Sequence, residues 1–151
     1  MYFWKIEELK ESIKKDELSE KDRFIYVLIY IILYTLGLEA ISLMPVETLN
    51  VWDYIISISN VLVVFVGTIL AFRANGGNNG KDFLGRYFSI GFVVTIRFMV
   101  IFIPLYIALI FYYIYAFPED EEIVSTIVDT ALIIIWQAAL YWRICKHIGA
   151  I

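Results

Sequence analysis

Glu39, Arg97 and Asp129 each stand inside a long, otherwise nearly uncharged tract. In hydrocarbon an ionisable side chain costs at least roughly 2.5 kcal/mol on insertion scales, so each is a candidate for proton relay, ion coupling or helix pairing. At 1.5 Å per helical residue, Glu39 and Asp129 fall at similar depth, roughly 20 Å or more from the inner boundary, and Arg97 at roughly 15 Å. On a helical wheel Asp129 shares a side with Ser125, Trp136, Arg143 and His147, and Arg97 shares one with Arg86 and Pro104. The expectation is an intramembrane charge network in which Arg97 bridges to Asp129, with Glu39, Gln137 and Asn60 in reach. Such a network either specifies how helices pair or offers a carboxylate to coupled transport. Mutual neutralisation of three charges favours the structural role, and no continuous polar stripe lines a pore.

The segment from Arg73 to Arg86 is the second candidate. A phosphate-binding Walker loop would need glycine at Asn75 and Ser or Thr at Asp82, and would follow a strand, so that motif is excluded. What remains is a glycine and asparagine turn, with Asp82 placed to cap the following helix that carries Phe83 and Leu84. The plain reading is a tight helical hairpin. The sharper one is an anion or lipid-headgroup loop in which backbone N–H groups at Gly76, Gly77 and Gly80 act with Arg73, Lys81 and Arg86.

Other chemistry is thinly represented. One cysteine, Cys145, excludes an internal disulfide framework, and one histidine, His147, excludes a His-rich metal cluster. No Ser/His, Cys/His, paired-Asp or metal-ligand spacing appears, so neither an enzyme nor a cofactor is expected. A basic face with interleaved stacking groups is also missing, so no nucleic-acid partner is expected.

The elements that must position these residues follow from hydropathy. The chain is 61% hydrophobic with a mean hydropathy of +0.75, well above soluble domains. Seven of the 16 acids and six of the 12 basic residues fall within the first 23 positions, leaving long apolar tracts behind them. Spanning the bilayer takes roughly 20 helical residues. Four tracts qualify: 24–43, opened by Ser19 and Asp22 and closed at Met44-Pro45; 51–72, opened by Asn50 and Asp53; 87–115, with Pro104 as a place to bend; and 123–145, behind Pro118 and the acidic Glu119 to Glu122. The fold class is therefore an all-α polytopic membrane protein, a four-transmembrane-helix bundle with an N-terminal amphipathic helix.

Lys and Arg counts orient it. The N-terminal segment has six, the middle loop has Arg73, Lys81 and Arg86, and the C-terminus has Arg143 and Lys146, whereas the turns at 45–50 and 117–122 have none. By the positive-inside rule both termini and the middle loop are expected to be cytoplasmic, in the plasma (inner) membrane. The first span is expected to stay attached as a signal anchor.

Residues 1–22 form a separate head in which Tyr2, Ile6, Leu9 and Ile13 recur at helical spacing among Lys and Glu. The expectation is an amphipathic helix lying in the inner headgroup region, or else docking on a partner protein or neighbouring subunit; residues 23–151 make the transmembrane domain. Tyr26, Tyr30 and Tyr34 form a stripe suited to interhelical packing. Gly85, Ser89, Gly91 and Thr95 suit close helix approach.

Small size, compensating charges and a docking head point to a non-enzymatic scaffold or regulatory subunit, self-assembling or partner-binding, in contact with lipid and anionic lipid among its partners. The alternative is an oligomeric channel, transporter or membrane-permeabilising effector that uses Glu39, Arg97 and Asp129.

Overall fold

A computed structural model describes residues 1–42, 49–116 and 125–151. Among these the chain is wholly helical: α1 (Ile6–Lys14), α2 (Glu20–Ser42), α3 (Val51–Ala74), α4 (Phe83–Ala116) and α5 (Ile127–Ile148), with a 3-10 turn at Gly77–Asn79. Three of them, α3, α4 and α5, are long and apolar enough to cross a membrane. The turn at 117–122 and most of the turn at 45–50, with Pro45, Pro118 and Glu119 to Glu122, lie outside the described residues.

Helix starts are fixed by side chains that satisfy otherwise orphaned amides. Ser19 Oγ accepts from the Asp22 amide at 3.1 Å and donates to its carboxylate at 2.8 Å. Asn50 Oδ1 accepts from the Trp52 and Asp53 amides at 2.7 and 3.3 Å, and Asp53 accepts from the Asn50 amide at 2.8 Å, a reciprocal capping box. Asp82 caps α4 through the Gly85 amide at 3.2 Å, as its place before Phe83 and Leu84 predicts, and that helix runs without a break into the tract at 87–115. Pro104 lies within α4, which continues through it to Ala116.

The last helix also differs from expectation. It begins at Ile127 instead of residue 123, because Thr126 and Asp129 close a second capping box in which Asp129 Oδ2 accepts from the Thr126 amide at 2.8 Å and its hydroxyl at 2.7 Å. This places Asp129 in the first turn, where a carboxylate meets the positive end of the helix dipole. Asp129→Ala is expected to cost about 1 kcal/mol of local stability. The check is amide exchange, which should quicken roughly fivefold in the first turn of α5 and leave α1 unchanged.

The order of packing is α2, α4, α5, α3. The most extensive contact is between α3 and α5, which run parallel. At one end Asn50 Nδ2 donates to the Ser125 carbonyl at 2.8 Å and Ser125 Oγ to Asp53 at 2.6 Å; at the other, Gly149 lies against Ala74. Antiparallel to α5, α4 sets Phe98 and Phe102 on Trp136, with ring centroids 4.9 and 5.2 Å apart. α2 runs parallel to α4, with Arg23 Nε 3.4 Å from Asp82, Tyr26 on Phe92 and Tyr30 on Phe88. A Cβ added at Gly91 would lie 3.9 Å from the Tyr30 ring, an ordinary contact distance, so glycine is not required for the approach there. Both termini and the loop at 75–82 therefore gather at one end of the bundle.

The core sits at that same end. Leu9, Tyr26, Ala71, Ile90 and Val93 are fully buried there. The opposite half is open, and residues 31–39 of α2 are exposed without interruption.

Candidate functional site

The head does not behave as an independent segment. Ile6, Leu9 and Ile13 of α1 are buried in the same core as Tyr26 and Phe92, and α1 packs against α4. Its amphipathic face, expected to meet lipid headgroups or a partner, is covered by its own bundle. The segment that precedes it is anchored as well. Tyr26 Oη accepts from the Tyr2 amide at 2.6 Å and donates to the Tyr2 carbonyl at 3.0 Å. Phe3 meets Phe92 edge to face at 5.6 Å.

Arg97 completes this anchor. Its Nε donates to the Trp4 carbonyl at 2.9 Å, its Nη2 donates to the same oxygen, and the guanidinium lies 5.4 Å from the Trp4 ring centroid. A charge-assisted hydrogen bond and a cation–π contact together hold the chain where it enters α1. The expected bridge from Arg97 to Asp129 is not formed: the cation is engaged by a backbone carbonyl, and the carboxylate caps α5. Glu39 stands on the exposed stretch of α2.

Asn60 and Gln137 of the expected network do come to one level. The register set by Asn50 with Ser125 and by Ala74 with Gly149 puts them within a turn of each other on α3 and α5. Their side-chain carbonyl oxygens are buried and have no hydrogen-bond partner among the described residues. Nearer the closed end, three hydroxyls from three helices form a row, with Thr68 to Tyr87 at 3.3 Å and Tyr87 to Tyr141 at 3.4 Å. Sequence reasoning misses this row. Tyr87 enters it only as a span terminus, and no spacing on one helix announces a contact among three.

The loop is closed on itself. Asn75, buried, donates through Nδ2 to the Lys81 carbonyl at 3.1 Å and accepts from Arg86 Nη1 at 3.1 Å. Gly76 adopts φ of 93° and Gly77 of 57°, the left-handed region that glycine tolerates. The Gly76 and Gly80 amides donate to the Arg73 and Gly77 carbonyls. Of the six residues assigned to an anion loop, Arg86 and the Gly76 and Gly80 amides are thus engaged internally, Gly77 is half-buried with its carbonyl accepting from Gly80, and Arg73 and Lys81 lie at the surface.

Electrostatics add one tether at the N-terminus. The Ser19 hydroxyl, and behind it the Met1 ammonium 3.5 Å away, hold the Asp22 carboxyl below its usual range. A depressed folded value means stabilisation that is full above the unfolded value, 3.8, and is lost as pH falls through the folded one. Mobility of residues 1–5, read by nuclear magnetic resonance in detergent, is therefore expected to stay constant from about pH 7 to about pH 5 and to rise only below the carboxylate range. Asp22→Asn should abolish that acid transition.

Comparison with known protein families, with curated proteins and with solved structures finds no match.

Proposed function

We propose that this chain is a non-enzymatic integral membrane scaffold or regulatory subunit of four spans, which assembles with further copies of itself. α2 is the fourth span: 23 residues long, with an uncharged run from Phe24 to Leu38. The clustered end, rich in Lys and Arg, is the cytoplasmic end of a plasma or bacterial inner membrane.

The uninterrupted exposure of residues 31–39 on α2 carries the assembly reading. Tyr34, Leu36 and Leu38 are 66%, 60% and 50% exposed, and nothing would lie within 4 Å of a Cβ at Gly37. In lipid, helices associate largely through van der Waals packing at small residues, to which an exposed half-helix with Gly37 at its centre is well suited; the Thr35 hydroxyl is already bonded to the Ile31 carbonyl at 2.9 Å. α1 is not the docking element, because its apolar face is buried within the chain. The intramembrane ionisable groups support a structural role in the same way, since Arg97 anchors Trp4 and Asp129 caps α5.

Counting copies in native-lipid particles tests this. More than one copy per particle is expected, falling to one in Gly37→Trp with residues 1–15 still protected from proteolysis. A wild-type particle holding a single copy would end the reading.

One observation favours a second reading, an oligomeric channel, transporter or membrane-permeabilising effector. The unpartnered oxygens of Asn60 and Gln137 each cost about 1 to 3 kcal/mol when buried dry, a cost that water or a permeating ion would relieve. In proteoliposomes that reading requires a flux that Asn60→Leu abolishes.

A further inference from the structure

Between α3 and α5, near their cytoplasmic ends, lies an open groove of about 540 Å³ lined by Leu62, Val66, Leu70, Ala138, Trp142 and Cys145 among others. Its floor is Gly67, on which the Tyr141 ring sits directly. The absence of a side chain at Gly67 lets the ring sink between the helices, and that leaves the hollow above it.

What stands at the mouth of the groove selects its occupant. Arg73 follows Leu70 by three residues and Val66 by seven, so it continues the same face of α3 one turn nearer the cytoplasmic end. Lys146 follows Trp142 by four, and its Nζ lies 5.6 Å from that ring, directed along the same wall. The parallel register that ends with Ala74 against Gly149 brings both cations to one level. Both are exposed, and neither makes a salt bridge among the described residues. An apolar trough capped by two cations at the headgroup level, with a tryptophan on its wall, matches an acyl chain attached to a phosphate.

We infer that the α3–α5 groove is a binding site for one anionic glycerophospholipid, its acyl chain lying against the walls formed by Val66, Leu70, Ala138 and Trp142, and its phosphodiester held by Arg73 and Lys146. The inference rests on the four-span orientation proposed above, which sets both cations at the inner headgroup level. The site is distinct from the loop, whose Gly76 and Gly80 amides are already engaged. It does not depend on the assembly face, which lies on α2. The lipid ties the cytoplasmic ends of α3 and α5 together from outside.

The test counts lipids retained on protein released from nanodiscs of equal phosphatidylglycerol and phosphatidylcholine, by native mass spectrometry. Wild type is expected to keep phosphatidylglycerol selectively, and Arg73→Gln with Lys146→Gln to weaken that retention roughly 30-fold without changing phosphatidylcholine. Ala138→Trp, on an exposed position, fills the trough and should expel the lipid. Lys81→Gln should change nothing. A second measurement uses phosphatidylglycerol brominated along its acyl chain, which should quench the emission that Trp142→Phe removes. Unaltered selectivity in the double variant, retention unaffected by Ala138→Trp, or unquenched Trp142 would each overturn the site, as would Ala138→Trp changing the copy number instead of the lipid count.

Discussion

Leu9→Asp is expected to detach the N-terminal helix from the bundle while leaving the membrane spans in place. Leu9 is completely buried on α4, between Ile6 and Ile13. Truncating such a leucine costs about 2 to 5 kcal/mol, and an unpaired carboxylate in its place costs more. The anchor of the preceding segment is of a different kind. A charge-assisted hydrogen bond contributes about 1.5 to 3 kcal/mol and the cation–π contact about 0.5 to 1, but these act on Tyr2 and Trp4, ahead of α1, and do not replace the contact its apolar face makes. Amide exchange across residues 6–14 should therefore rise at least a hundredfold, since about 2.7 kcal/mol corresponds to a factor of that size. Insertion, read by carbonate extraction, should not change. Protection retained in Leu9→Asp would mean that α1 is held by something other than its apolar face.

Gly67→Leu is expected to part α3 from α5. A Cβ at Gly67 would already collide with the Tyr141 ring, and a branched side chain cannot be accommodated by the ring's motion alone. Overpacking costs about 1 to 3 kcal/mol. Displacing Tyr141 would also break its contact with Tyr87 and the adjoining contact to Thr68, as well as the long Cys145 thiol contact to the Gly67 carbonyl. The thermal midpoint in detergent should fall, and alkylation of Cys145 should accelerate. Gly67→Ala should give the same changes in smaller measure. An unaltered alkylation rate in Gly67→Leu would show that the two helices do not meet there.

The elements are legible in the sequence wherever the signal is local. Three capping positions, Ser19, Asn50 and Asp82, are identifiable because Ser, Asn and Asp satisfy first-turn amides from within a few residues. The fourth is misplaced because Glu119 to Glu122 form an acidic run, which resembles a first turn, whereas Thr126 and Asp129 supply the actual box. That shift of four residues carries a functional consequence: it moves Asp129 from the second turn to the capping box and removes the partner expected for Arg97. The clustering of both termini and the loop at one end is also legible, from the Lys and Arg distribution.

Contacts between segments far apart in sequence are not legible. Arg97 binds the carbonyl of Trp4, and a backbone oxygen has no residue type by which it could be recognised. The tyrosine stripe reads as packing, and Tyr26 and Tyr30 do pack, but Tyr34 lies on the exposed stretch of α2. The groove cannot be found from periodicity either, since it arises from one glycine on α3 meeting one tyrosine on α5.

Topology in the living membrane tests the four-span account most directly. With Cys145 replaced by Ala, single cysteines at Lys15, Asn78 and Ala150 should resist a membrane-impermeant thiol reagent in intact cells and react after permeabilisation, while one at Glu47 or Glu121 should react at once. Reaction of Asn78→Cys and Glu121→Cys from the same side of the membrane would contradict it.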